Sequence, residues 1–149
     1  MCAPSLLRSA RCDHNLPQMN TESHRNRDPL TRQVIGAFFE VYRELGIGFL
    51  EAVYCRALAI TLADRGLTVE SEPRIPVFFK GRAVGDYRAD LVVERRLIVE
   101  VKAVDALASV HRAQLLNYLR ATSIEVGLLV NFGAKFSFER LLFTNDRKR

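Results

Sequence analysis

Apolar and polar positions along the chain follow a helical period first and a strand period afterwards. Asp28-Pro29 reads as an N-cap followed by proline in the first helical turn. Leu30, Val34, Phe38, Val41, Tyr42 and Leu45 then recur at helical spacing and predict an amphipathic helix to about Leu45, ended by Gly46 and Gly48. A second helix is predicted from about Leu50 to Arg65, stopped by Gly66. From Leu67 the pattern turns to strands. Thr68 to Phe79 is β-rich but holds Pro73 and Pro76, as an irregular or edge strand would. Lys80-Gly81-Arg82 reads as a turn, Ala83 to Val93 as the next strand, and Leu97 to Ala103 as its hairpin partner. Ala106 to Arg120 is predicted helical, with Leu107, Gln114, Leu115, Tyr118 and Leu119 inward. Glu125 to Asn131 is almost wholly apolar, as a strand buried on both faces would be. Phe138 to Thr144 closes the series.

This order, α-α-β-β-β-α-β with a final strand, predicts an α/β fold in which a mixed central sheet is flanked by helices. Residues 1–28 mix Pro, Ser, Asn, Arg and His without periodicity and are expected to form a disordered tail. The folded domain is expected over 29–145 and a basic, solvated end over 146–149. Met19 offers a second start, which would leave residues 1–18 outside the product.

Bulk properties narrow the classes. The chain of 149 residues, 48% hydrophobic and 26% charged, suits one soluble domain plus a tail. Its net charge of +5 permits a polyanionic partner. Three irregularly spaced cysteines form neither a disulfide framework nor a zinc motif, and Cys55 reads as a small buried hydrophobe. No apolar run approaches the ~20 residues of a membrane span. Leu6-Leu7 is too short for a signal-peptide core. A cytoplasmic protein without membrane attachment is expected.

The candidate chemistry lies in the apolar stretch Tyr87 to Val104, where Asp90, Glu100 and Lys102 interrupt the hydrophobic pattern. Burying charge costs several kcal/mol per group unless something compensates it. Alternation puts Glu100 and Lys102 on one face of their strand. A three-residue loop, Glu94-Arg95-Arg96, would pair Val93 with Leu97 and set Asp90 opposite Glu100 on the same face. A two-residue turn would part the carboxylates unless a bulge restored the register. Two opposed carboxylates repel, and a divalent cation with hard oxygen ligands, Mg²⁺ or Mn²⁺, removes the conflict. Lys102 is then placed to orient or deprotonate a water, or to balance charge on a phosphate. The competing reading is a structural ion pair of Lys102 with Asp90 or Glu100. His111, one turn before Gln114, could touch phosphate or simply face solvent.

Further motifs surround this pattern. Gly48, Glu51 and Tyr54 resemble the signature of the bacterial GxxExxY family, with Glu51 and Tyr54 on one helical face. Asp90, Glu100 and Lys102 resemble the active-site pattern of the PD-(D/E)xK nuclease superfamily, with Ala89 where the name of that group has proline. Gln114 and Tyr118 resemble the QxxxY element of its exonuclease branch. The resemblance covers about Leu30 to Phe143. It implies a restriction-endonuclease-like core that hydrolyses nucleic acid, DNA above RNA. It further implies Asp90, Glu100, the Val101 carbonyl and Glu51 as metal ligands and Lys102 as the group that positions water. Gln114, Tyr118, Tyr54 and His111 would lie on the substrate side. A homodimer formed through the Thr68–Phe79 edge would serve to cut two strands. The alternative is a catalytically inactive nucleic-acid-binding or protein-interaction module on the same fold.

Overall fold

The computed structural model describes residues 28–148, so the expected disorder of the N-terminal tail lies outside the described residues. Asp28 caps the first helix, α1 (Pro29–Leu45), its carboxylate accepting from the Thr31 N–H and hydroxyl. α2 (Glu51–Asp64) follows a short loop. Seven strands come next, with one helix among them: β1 (Val69–Ser71), β2 (Arg74–Phe79), β3 (Arg82–Arg88), β4 (Leu91–Val93), β5 (Leu97–Lys102), α3 (Ser109–Ala121), β6 (Val126–Asn131) and β7 (Ser137–Leu142). Five of the strands form one sheet in the order β1-β4-β5-β6-β7, in which only β5 and β6 run parallel, joined by the α3 crossover. The expected mixed sheet flanked by helices is present.

The apolar pattern of β4, β5 and β6 explains the layering. Leu91, Val93, Leu97, Val99, Val101, Leu128 and Val130 pack on α1 and α2. Val92, Ile98 and Leu129 pack on Leu115, Tyr118 and Leu119 of α3. With both faces covered, β4 to β6 carry no polar side other than the site described below.

Two predicted strands are each divided by a bend. Thr68–Phe79 becomes β1 and β2, and Ala83–Val93 becomes β3 and β4. The pairs Val69↔Val93 to Ser71↔Leu91 and Arg74↔Arg88 to Val77↔Gly85 keep one register, so this is one long hairpin folded sharply at its middle. The fold falls where Pro73 lacks an N–H and Glu72 adopts φ 52°, outside the range of a regular strand. Hydrogen bonds from Glu72 N to Asp90 O (2.9 Å) and Ala89 N to Pro73 O (3.3 Å) hold the bend. Only β1, three residues long, edges the main sheet; β2 and β3 leave it as a two-stranded ribbon.

Smaller corrections have local causes. α3 begins at Ser109 rather than Ala106, because Ala108 has no capping side chain and His111 Nδ1 instead accepts the Ala108 N–H at 3.0 Å. Lys148, expected at a solvated end, donates to the carbonyls of Thr122 (2.8 Å) and Ile124 (2.7 Å). Cys55 is half-buried beside a cavity rather than enclosed in the core. Among the described residues no helix is long and apolar enough to cross a membrane.

The segment leaving β5 is fixed by Asn131, which is fully buried. Its amide donates to Val104 O (2.9 Å) and Lys135 O (3.0 Å) and accepts from the N–H groups of Val104 and Gly133, both at 3.0 Å. At Gly133 a Cβ would fall 1.7 Å from the Val104 carbonyl, so only glycine fits there. Asn131→Ala strands four backbone groups and is expected to cost about 3 kcal/mol. Urea unfolding followed by circular dichroism reads this loss.

Candidate active site

The hairpin loop decides the register of the acids. Glu94 and Arg95 both take φ 52° without a glycine, and Arg96 N donates to Val93 O at 3.0 Å. The pairs Val93↔Leu97 and Leu91↔Val99 follow, so Asp90 stands opposite Glu100 one step further on. This is the three-residue loop that the chemistry required. β4 ends at Leu91, and the Asp90 side chain takes over its pairing role, Oδ2 accepting the Val101 N–H at 2.7 Å. A residue's N–H and C=O leave a strand by the same edge. The Val101 carbonyl therefore opens toward the acids.

Glu100 is only 2% exposed. Its Oε1 lies 3.5 Å from Lys102 Nζ, and its buried Oε2 has no hydrogen-bond partner. Burial, then the neighbouring Asp90 charge, pushes the Glu100 carboxyl up to about 8 against the opposing pull of Lys102. Burial likewise raises Asp90, although the Val101 N–H and Lys102 favour its charged form. Glu51 reaches in from the first turn of α2, its Oε1 3.9 Å from Lys102 Nζ. It too is raised, first by burial and then by Asp90. The carboxylates thus outnumber the cations here, and Lys102 has no ion-pair partners other than Glu51 and Glu100 among the described residues.

A cavity of about 430 Å³ opens on the α2 side of Asp90, with Glu51, Cys55, Arg56 and Glu72 around it. Burial and the surrounding carboxylates push the Cys55 thiol up to about 12, so it stays protonated. Glu72, Arg56 and Cys55 escaped the sequence reading. Glu72 carried one local sign, its place before Pro73 inside a β-rich run. Arg56 and Cys55 meet the site only through the packing of α2, for which no local signal exists.

The remaining predicted residues divide. Gln114 donates to the Tyr118 hydroxyl at 2.7 Å, so α3 brings this pair together. Burial raises the Tyr118 phenol, and the charge of Glu100 adds to it. Tyr54 is fully buried, stacked on Phe132 at 4.4 Å. Its hydroxyl donates to Gly46 O (2.6 Å) and accepts from Phe49 N (3.2 Å). It ties down the α1–α2 loop, in which Gly48 takes φ 109°, and this replaces the substrate-side placement expected of it. His111 spends Nδ1 on the start of α3, away from any direct bond to the acids.

A divalent cation fits this donor set. Mg²⁺ is held by one or two carboxylates and keeps several waters. Asp90 and Glu100 would supply the carboxylates, the orphaned Oε2 being an open acceptor. Among the described residues no group of three or more His, Cys, Asp or Glu is placed to hold a metal ion, so the fit rests on two carboxylates with backbone and water.

A profile of the PD-(D/E)XK nuclease superfamily matches residues 28–141, well over half of the chain. The chain belongs to the PD-(D/E)XK nuclease superfamily. Among solved structures, one titled "Crystal structure of SSO0001" is similar, with a TM-score of 0.51 and 19% identity over 78% of this chain. This superfamily member spans 64% of that chain's length, and the likeness is one of fold. No protein of curated function matches.

Proposed function

We propose that the protein is a metal-dependent nuclease that hydrolyses phosphodiester bonds, acting on DNA above RNA in the cytoplasm. The observation that carries this reading is Glu100 Oε2, a buried carboxylate oxygen without a donor, set opposite a second carboxylate. A structural ion pair would satisfy both oxygens; one 3.5 Å contact to Lys102 does not. Asp90, Glu100 and the Val101 carbonyl would hold Mg²⁺ or Mn²⁺, with Glu51 across the cavity. Bound there, the ion would supply Lewis-acid stabilisation of charge on the phosphate.

The chain's own groups do the rest. Asp90 fixes the end of β5 through the Val101 N–H and so sets the spacing of the two acids. Lys102, 12% exposed and between Glu51 and Glu100, orients the attacking water and offsets charge on the phosphate. Gln114 holds the Tyr118 hydroxyl in place. Gly48, Glu51 and Tyr54 support the narrower GxxExxY assignment, since each contributes something different. Gly48 makes a left-handed turn, Glu51 brings a carboxylate to the cavity, and Tyr54 pins the loop between α1 and α2 through Gly46 O and Phe49 N.

Calorimetric titration with Mn²⁺ tests the site. Wild type is expected to bind one ion at millimolar or tighter Kd, and Asp90→Asn to weaken binding at least tenfold. Equal binding by Asp90→Asn would remove Asp90 from the site.

A further inference from the structure

The β2–β3 ribbon carries a surface that neither the core nor the acid pair explains. Phe78, Phe79, Val84 and Tyr87 are all exposed on this two-stranded arm, Phe79 at 61% and Tyr87 at 44%. Pairing places Phe79 beside Arg82 at the tip and Ile75 beside Tyr87 at the base, with a register shift between Val77 and Phe78 separating the two pairs. At the tip, Lys80 sits over the Phe79 ring at 5.3 Å. Neither Lys80 nor Arg82 has an ion-pair partner among the described residues, whereas Asp86 is taken up by Arg74. At the base, Ile75 is buried against α3, and Tyr87 meets the Tyr118 ring at 5.8 Å. Between ribbon and helix runs an open cleft of about 410 Å³, lined in part by Tyr87, Asn117 and Arg120.

Aromatic faces interleaved with unpaired cations are the means by which proteins hold unpaired bases and their phosphates. The strip also has a direction. It begins at Phe79 and Arg82 and passes Tyr87, which meets the Tyr118 ring, and beyond Arg88 at the end of β3 the chain leads on to Asp90. From Arg82 to Asp90 is eight residues of chain, roughly 26 Å at 3.3 Å each. We propose that this face carries single-stranded nucleic acid to the acid pair, bases stacking on Phe79 and Tyr87 and phosphates following Lys80, Arg82 and Arg120. The proposal rests on the nuclease reading and adds the substrate class to it. A duplex hides its base faces, so it would leave the two rings without partners.

The test is binding in EDTA, so that no cleavage enters the readout. A fluorescein-labelled 20-nucleotide single strand and the duplex of the same sequence are titrated with the full chain, and anisotropy is recorded. Single strand is expected to bind at least tenfold more tightly than duplex. Phe79→Ala, at an exposed site that the fold does not need, is expected to weaken single-strand binding about tenfold. The chain contains no tryptophan, so Phe79→Trp supplies a lone reporter whose emission should be quenched by stacked bases. Equal affinity for duplex, unchanged binding by Phe79→Ala, absence of binding to either, or an unquenched Phe79→Trp each overturns the proposal. If the strand binds through the ribbon but no divalent ion supports its cleavage, the track stands and the hydrolytic reading falls.

Discussion

Lys102→Ala is expected to lower cleavage by 10²–10⁴-fold, the range set by loss of one positioned proton-handling group. The lysine Nζ lies 3.5 Å from Glu100 and 3.9 Å from Glu51, the only cation in ion pairs with these acids among the described residues. Its removal acts twice. The water and phosphate lose their positively charged neighbour, and Glu100 loses the influence that opposes burial and Asp90. The carboxyl therefore moves further up, and the remaining activity should need a higher pH to appear. Lys102→Arg keeps the charge but replaces a compact ammonium with a planar fork, so it should restore the pH profile more than the rate. Asp90→Ala and Glu100→Ala are expected to abolish cleavage outright. Circular dichroism should show all of these variants folded. Full activity in purified Lys102→Ala would refute the role given to the lysine.

Glu100→Gln should stabilise the metal-free protein at pH 8.5 while destroying its activity. In the unfolded chain this glutamate titrates near 4.3. In the folded protein, burial and then Asp90 hold it near 8. Between those values the folded state keeps a proton that the unfolded state has released, so stability falls as pH rises through the window. The contribution is fully favourable below about 4.3 and lost above about 8. Asp90, raised in the same sense, adds to the slope. The expected loss is on the order of a few kcal/mol. For a domain of this size that is roughly 2–4 °C of Tm per kcal/mol. Glu100→Gln removes the charge, keeps the shape and lets an amide N–H face Asp90, so its Tm should change little from pH 5 to 8.5. Thermal unfolding in EDTA across that range decides the matter. A wild-type Tm that rises steadily to pH 8.5 would contradict the repulsion inferred between the acids.

Much of this site was legible because strand geometry is arithmetic. Side-chain alternation and a three-residue loop suffice to set Asp90 against Glu100, and the observed pairs Val93↔Leu97 and Leu91↔Val99 carry that register. The helical face of Gln114 and Tyr118 follows from spacing in the same way, and the two side chains are hydrogen-bonded. What escaped depends on contacts between distant segments. The bend at Glu72 and Asp90 divides two strands, yet nothing in Ala83–Val93 breaks its β pattern. The break follows from Pro73 and Glu72 on the opposite strand. Arg56 and Cys55 reach the cavity only because α2 packs near β1 and Asp90. The substrate-side expectation for Tyr54 comes from the GxxExxY resemblance alone, whereas Phe132, far along the chain, provides the stacking surface that buries it.

One incubation decides whether these acids serve hydrolysis at all. Wild type and Glu100→Ala should each be incubated with single-stranded and duplex DNA and RNA in Mg²⁺, Mn²⁺ or EDTA, with products resolved by length. Cleavage by wild type in Mg²⁺ or Mn²⁺, absent in EDTA and absent in Glu100→Ala, is the predicted result. Cleavage that persists in EDTA or in Glu100→Ala, or no cleavage of any substrate with either ion, would contradict it.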